Sequence, residues 1–319
     1  GFTIMNTDKR YEETEYVLES VKKLGIKHTK ININRNNFLN NLKTLISYHD
    51  SPISTINYYS DWELMSSVHD LGYKVCLSGT AADEMFTGYY DHHNFFLQYL
   101  FNTDINSYKK AKNKWYNLIK PIVRNQYLQN PDCFIKNPNL RDHIFLDNKK
   151  FSKFLKNEWI EDFKEERYSD IDLRNRMINE MFHENVPVIL HEDDLNSMYF
   201  SIENRSPFLD KNLYEACLSL PTKFLIKSGY AKNILREAVR NIAPTKILNN
   251  PRKVGFNVPI EDYLDLKSKK NKEEILDTSK IFDIIKKEKI EELFKVKNKK
   301  NSESKFLFYF LSAKFFLEE

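Results

Sequence analysis

The sequence predicts an α/β fold: a parallel sheet with helices on its faces over residues 1–105, then a mostly helical part over 106–319. Strand-like and helix-like segments alternate through the first part, which is the order of βαβ units. From about residue 105 the texture changes to helical runs rich in Lys, Asn, Phe and Tyr, with few glycines and no strand alternation. With 319 residues, 41% of them hydrophobic, the chain is long enough to bury a real core.

Each element has its own warrant. "FTIM", at 2–5, reads as a strand already under way, and a loop carrying Asp8 follows it. "YEETEYVLESVKKLG" places Tyr16, Val17, Val21 and Leu24 at helical spacing, and Gly25 stands where a C-terminal cap belongs. "KHTKININ" alternates its isoleucines as a strand does. A helix carrying Phe38, Leu39, Leu42 and Leu45 comes next, then the turn "HDSP" and a helix over about 61–71. "YKVCL" is the third strand, expected to be buried and to end at Leu77. Ligands of such sheets bind beyond the carboxyl ends of the strands. In the second part, "LKSKKNKEEILDTSK" reads as a solvated helix face or a mobile connection, and "FLFYFLSAKFFLEE" as a buried closing helix.

Bulk properties exclude some partners. The 49 basic side chains against 45 acidic ones leave a net charge of +4, too near balance to argue for nucleic acid or a membrane surface. The longest apolar stretch, "FLFYFLSAKFFL", is too short to span a bilayer and is broken by Lys314, so no membrane insertion is expected. Cys76, Cys133 and Cys217 lie far apart without CxxC spacing, which suits packing in a reduced, cytoplasmic setting. The aromatic residues suit the core, with a homodimer interface as their alternative use.

The stretch "VCLSGTAADE" runs a strand into a small-residue turn and then onto an acidic pair. Gly79 permits a backbone conformation or a close approach that a side chain would block, and free N–H groups in such a turn suit phosphate or ribose oxygens. Asp83 and Glu84 fall at a helix start, where carboxylates are favoured in any case. From these residues alone, helix capping and metal binding stay equally open. His92 and His93 beside Asp91 invite a metal reading, but adjacent side chains of one helix or strand rarely face the same ion, which argues against zinc.

Further segments follow in order: "SMYFSIENRSPFLDKNLYEACLSLP" at 197–221, then "GYAKNILREAVR" and "NNPRKVGFNVP". Together with "LSGTAADE" they resemble the synthetase half of the glutamine-dependent asparagine synthetase family. There the corresponding pieces look like LSGxGxDE, SMxxxxExRxPFLD, a KxxLR-type helix and a loop ending in GFxVP. The likeness covers nearly the whole chain. It implies a sheet of the ATP pyrophosphatase (adenine nucleotide alpha hydrolase-like) type. It also implies an enzyme that uses ATP and Mg2+ to transfer AMP to a small-molecule carboxylate, releases pyrophosphate, and lets ammonia displace AMP to leave an amide. By that resemblance Asp83 holds magnesium, Ser78, Gly79 and Thr80 line the nucleotide, and Lys232 contacts the phosphates. Lys232 and Glu84 are the catalytic candidates. Taken alone, Lys232 reads as an exposed helix lysine. Arg205 and Asp210, in "ENRSPFLD", read as a buried ion pair or cap that holds the helical part against the sheet.

Three departures bear on these expectations. The family's glycine-rich SGGxDS loop should precede "FTIM", and without it the chain is expected to bind ATP weakly and turn over little. The family's glutaminase half is not in this sequence either, so ammonia is expected from another segment, a partner or solution. Thr80 stands where many asparagine synthetases carry a glutamate that positions or deprotonates the incoming nitrogen, and a hydroxyl is no general base at neutral pH. Leu195, in "HEDDLNSM", replaces a common arginine. With "TGYYDHH", these changes resemble the branch associated with bacterial surface-polysaccharide synthesis, whose acceptor is expected to be a sugar acid in place of aspartate. A degenerate relative that binds nucleotide or a partner subunit without turnover is the competing expectation.

Overall fold

The computed structural model describes residues 1–5, 13–32, 34–145, 147–255, 258–297 and 299–319. The loop expected to carry Asp8 lies outside them. Strand β1 (Phe2–Met5) leads to helix α1 (Thr14–Leu24), which stops where Gly25 turns left-handed at φ 64° and donates its N–H to Val21 O. That is the geometry glycine tolerates at a helix end. Strand β2 (Thr29–Asn32) then returns parallel to β1, with Phe2 opposite Thr29. Helix α2 (Phe38–His49) buries Phe38, Leu39, Leu42, Leu45 and Ile46, which helical periodicity gathers on one face.

Helix α3 (Ile56–Asp70) starts five residues earlier than its apolar pattern suggests. Thr55 caps it, accepting the Asn57 N–H at 3.2 Å, so the cap and not the periodicity sets the boundary. Strand β3 (Val75–Leu77) follows, then the short helix α4 (Ala82–Phe86) and the 14-residue helices α5 (Tyr90–Thr103) and α6 (Ile105–Leu118). The second part is helical, as expected, except for strand β4 (Glu203–Arg205), which pairs in parallel with β3, Val75 opposite Glu203.

The single sheet expected from the alternation is thus two parallel pairs, β1 with β2 and β3 with β4. Side chains join them where backbone bonds do not: Phe2 of β1 packs with Cys76 of β3 and Ile202 over Met65 and Val68 of α3. Strand β3 is also less buried than expected, Leu77 being 74% and Val75 45% exposed, because the cover lies on the Cys76 face alone.

The largest core lies between α2, α3 and the closing helix Asn301–Leu317, whose Leu307, Phe308, Phe310 and Leu311 are buried. A second core joins α5 and α6 to later segments, and in it Phe95 of α5 stacks on Phe134 of the short helix Cys133–Lys136 with ring centroids 3.7 Å apart. The charged segment after residue 266 is a helix, Lys269–Leu276, capped by Ser268 and anchored by buried Ile275. Among the described residues no helix is long and apolar enough to cross a membrane.

Because Phe308 is fully enclosed between three helices, Phe308→Ala is expected to cost about 3–5 kcal/mol in a denaturant titration. A loss below about 1 kcal/mol would contradict the closing helix's place in the core.

Candidate functional site

Strands β3 and β4 end side by side. Ser78 continues their ladder by donating its N–H to Arg205 O at 2.8 Å, and its Oγ lies 2.9 Å from that of Ser206. Helix α4 begins at once and is only five residues long, bounded by Ala81 at φ 73° and Thr87 at φ 67°. Both are non-glycine residues held left-handed, a strained state that persists only where the surroundings impose it. Gly79 has no such φ, and a Cβ there would meet nothing within 4 Å, so its use is the open approach it leaves and not a turn. Gly88 is the glycine that sterics demand: a Cβ would fall 1.7 Å from Asp83 Oδ1.

Asp83 is the centre of the site. Lys232 Nζ lies 2.5 Å from its Oδ1 and Lys253 Nζ 2.5 Å from its Oδ2. Burial alone would raise this carboxyl's pKa, but Lys253 and Lys232 pull it down to about 2. Lys232 is fixed by its backbone, left-handed at φ 55° at the start of helix Asn233–Ala238, with its N–H donated to Phe86 O at 3.0 Å. Lys253 is fixed by Tyr90, whose hydroxyl accepts its N–H at 3.1 Å and donates to its carbonyl at 3.2 Å. Arg236 holds the approach to Lys253 by donating to the carbonyls of Ile247, Leu248 and Asn250 at 2.8–2.9 Å.

Beside Lys232 opens a cavity of about 400 Å³ lined by Glu13, Tyr16, Arg236, Asn250 and Arg252 among others. Burial raises the Glu13 carboxyl, against the pull of Lys253, Arg252 and Lys232. Glu84, expected with Lys232 to be catalytic, is 2% exposed and accepts the Tyr89 hydroxyl at 2.5 Å. Burial and that carboxylate raise the Tyr89 hydroxyl's pKa, keeping its proton in place. The Tyr89 ring in turn lies 5.6 Å from Lys253 Nζ. The Thr80 hydroxyl donates to Asp193 Oδ2 at 3.3 Å.

The structure therefore gathers Asp83 and Lys232, with Ser78, Gly79 and Thr80 in the turn that leads into α4. It adds Lys253, Glu13, Tyr90 and Ser206, which the sequence reading did not assign. Arg205 and Asp210 do not pair: the Arg205 side chain is 59% exposed and bonds Glu203, while Asp210 caps the helix Lys211–Ser219 through the Leu213 N–H. Only the capping half of that expectation holds. The histidines part company. His92 Nε2 meets Glu180 at 2.7 Å within a buried group that includes Asp91, whereas His93 lines a separate cavity near Trp115. The space a cation would take among Asp91, His92 and Glu180 is held by Arg176, whose Nε is 3.4 Å from Asp91 and 3.1 Å from Glu180.

A carboxyl whose folded pKa lies below its unfolded one stabilises the fold above about pH 4 and loses that contribution as pH falls through its folded value. With Asp83 at about 2, wild type should exceed Asp83→Asn by on the order of 2 kcal/mol at pH 7 in urea titrations, and by less at pH 2.5. A difference that grows on acidification would contradict the ion-paired assignment.

The family described as asparagine synthase matches residues 1–318. The glutamine-hydrolyzing asparagine synthetase 1 of Bacillus subtilis is 25% identical over 280 residues, covering 82% of this chain and 43% of that protein. A putative glutamine-hydrolyzing asparagine synthetase of Mycobacterium tuberculosis is 38% identical over 76 residues, 24% of this chain and 12% of that protein. The chain thus spans less than half the length of these curated relatives. With the family match running through the turn after β3, Lys232 and Lys253, the chain belongs to the asparagine synthase family.

Proposed function

We propose that this chain is the synthetase portion of an ATP-dependent, AMP-forming amide ligase, and that the Lys232–Asp83–Lys253 cluster is its phosphate and magnesium centre. The observation that carries the reading is that one ionised, largely buried carboxylate is shared by two lysines drawn from distant segments. Such a cluster has two kinds of group to offer a nucleotide: cations for the triphosphate and a hard oxygen for a divalent ion. Asp83 suits Mg2+ in charge and donor type and would offer it one hard carboxylate ligand. When bound, magnesium supplies charge neutralisation on the leaving pyrophosphate.

The chain's own residues do the rest. Lys232 and Lys253 exchange Asp83 for phosphate oxygens, and Ser78, Gly79 and Thr80 leave an open turn for the nucleotide at the ends of β3 and β4. Glu84 acts through Tyr89, since its burial keeps it from any substrate. The acceptor is a small carboxylate, aspartate or a sugar acid of the kind the polysaccharide branch uses. The nitrogen is ammonia supplied by a glutaminase segment or a partner. A cytoplasmic setting and a homodimer complete the proposal.

Two outcomes test it in the protein that carries this chain. Lys232→Met is expected to keep ATP binding while lowering pyrophosphate release by about 100- to 1,000-fold, the scale of losing one preorganised charge at a transition state. Unchanged turnover would contradict the role of Lys232. Acid-dependent ATP/pyrophosphate exchange is expected with aspartate or with a uronic acid, and exchange with neither would reject both acceptors.

A further inference from the structure

The Thr80 hydroxyl has a specific set of neighbours. It accepts a hydrogen bond from Ser78 Oγ at 3.1 Å and donates its own proton to Asp193 Oδ2 at 3.3 Å. Because Ser78 spends its proton on Thr80, Ser206 is the donor in the 2.9 Å contact between Ser206 and Ser78. A hydroxyl oxygen has two lone pairs, so Thr80 keeps one free for an incoming N–H. The row of hydroxyls ends on a carboxylate, and that carboxylate comes from the helix Asn185–Tyr199 and not from the turn.

Asp193 is surrounded by acids. Against its burial, the carboxyl of neighbouring Glu192 is lowered by His49, whose Nδ1 lies 3.3 Å away, and by Ser54, whose N–H and hydroxyl donate at 3.2 and 2.7 Å. Asp61 of α3 is buried close by and accepts from Asn196 Nδ2 at 3.2 Å, and the Tyr58 hydroxyl stands in the same field. Burial and the neighbouring acids raise the carboxyls of both Asp193 and Asp61. A carboxylate in such a setting takes up a proton far more readily than one in water.

On the ligase reading above, we propose that Asp193, acting through Thr80, accepts the proton of the nitrogen that attacks the acyl adenylate. Nitrogen forms its bond to the carbonyl carbon, the carbon–oxygen bond to AMP breaks, and AMP leaves with that electron pair. The nitrogen's proton passes to Thr80 Oγ1 as Thr80's own proton passes to Asp193 Oδ2. The carboxylate that the turn lacks at position 80 is thereby supplied from a different helix. Asp193 is a positioning residue in this scheme, since Thr80 and not Asp193 touches the nitrogen.

The test uses the full protein that carries this chain and two rates: acid-dependent ATP/pyrophosphate exchange, which reads activation, and ammonia-dependent amide formation at fixed free ammonia. Asp193→Asn is expected to lower the ratio of amide formation to exchange by about 100-fold or more. Wild-type amide formation should rise with pH through one apparent ionisation that the variant lacks, and Asp193→Glu should restore part of both. Thr80→Ser should keep the effect of the carboxylate and Thr80→Val should lose it. If Asp193→Asn lowers exchange and amide formation equally, or leaves the pH profile unaltered, the assignment is overturned while the ligase reading stands. Wild-type protein that forms no amide from any acid overturns both.

Discussion

The site depends on keeping one carboxylate ionised away from bulk water. Desolvation opposes the charge on Asp83, and the two lysines, each 2.5 Å away, keep it. Every local oddity nearby serves that arrangement. Gly88 leaves room where a Cβ would strike the carboxylate, and the left-handed Ala81 and Thr87 confine α4 to a single turn and a half that aims Asp83 outward and Glu84 inward. Arg236 and Tyr90 hold the segment that delivers Lys253, and the left-handed backbone of Lys232 delivers the other amine. With either lysine removed the other must carry the carboxylate alone, so the two lysines are expected to act as one unit on Asp83.

A second ionic group forms around Arg176. Arg176 is buried among Asp91, Glu165, Glu180 and Glu184, and Arg141 shares Glu165 through a two-pronged bond. Glu180 and Glu184 lie on a π-helical turn, Glu180–Glu184, which brings both acids toward the one guanidinium. This group pins the start of α5, and with it Tyr89 and Tyr90, the two residues through which α5 touches Glu84 and Lys253. Its acids are taken up by arginine and histidine, so it reads as scaffold for the site and not as a metal centre of its own.

The sequence disclosed most of what is periodic. Helices α1 and α2 and strands β1 to β3 follow from apolar spacing and from the Gly25 stop, and the closing helix from its aromatic run. It concealed β4, because "ENR" is three polar residues with no alternation to read, and it concealed the start of α3, which a single threonine decides. Ser78, Gly79, Thr80, Asp83 and Lys232, which the structure gathers around the turn after β3, all lie in the ordered motifs. Lys253 lies in the "NNPRKVGFNVP" stretch, but its pairing with Asp83 was not legible, because an ion pair between residues so far apart in sequence leaves no local pattern. The same holds for Glu13 and Asp193, which come near the cluster and the turn only in space. Arg205 looked like a partner for Asp210, but the β4 backbone turns it outward to Glu203.

As proposed, a carboxylate is joined to AMP at the Asp83 centre, and one isotope experiment tests that directly. The full protein is supplied with ATP, magnesium, ammonia and the acid that supports exchange, its carboxylate labelled with oxygen-18, and the phosphorus products are examined by mass spectrometry. Adenylation followed by displacement carries one carboxylate oxygen into AMP, so labelled AMP with unlabelled pyrophosphate is the predicted result. Label in inorganic phosphate with ADP as the product, or amide formed without label in any phosphate, would contradict it.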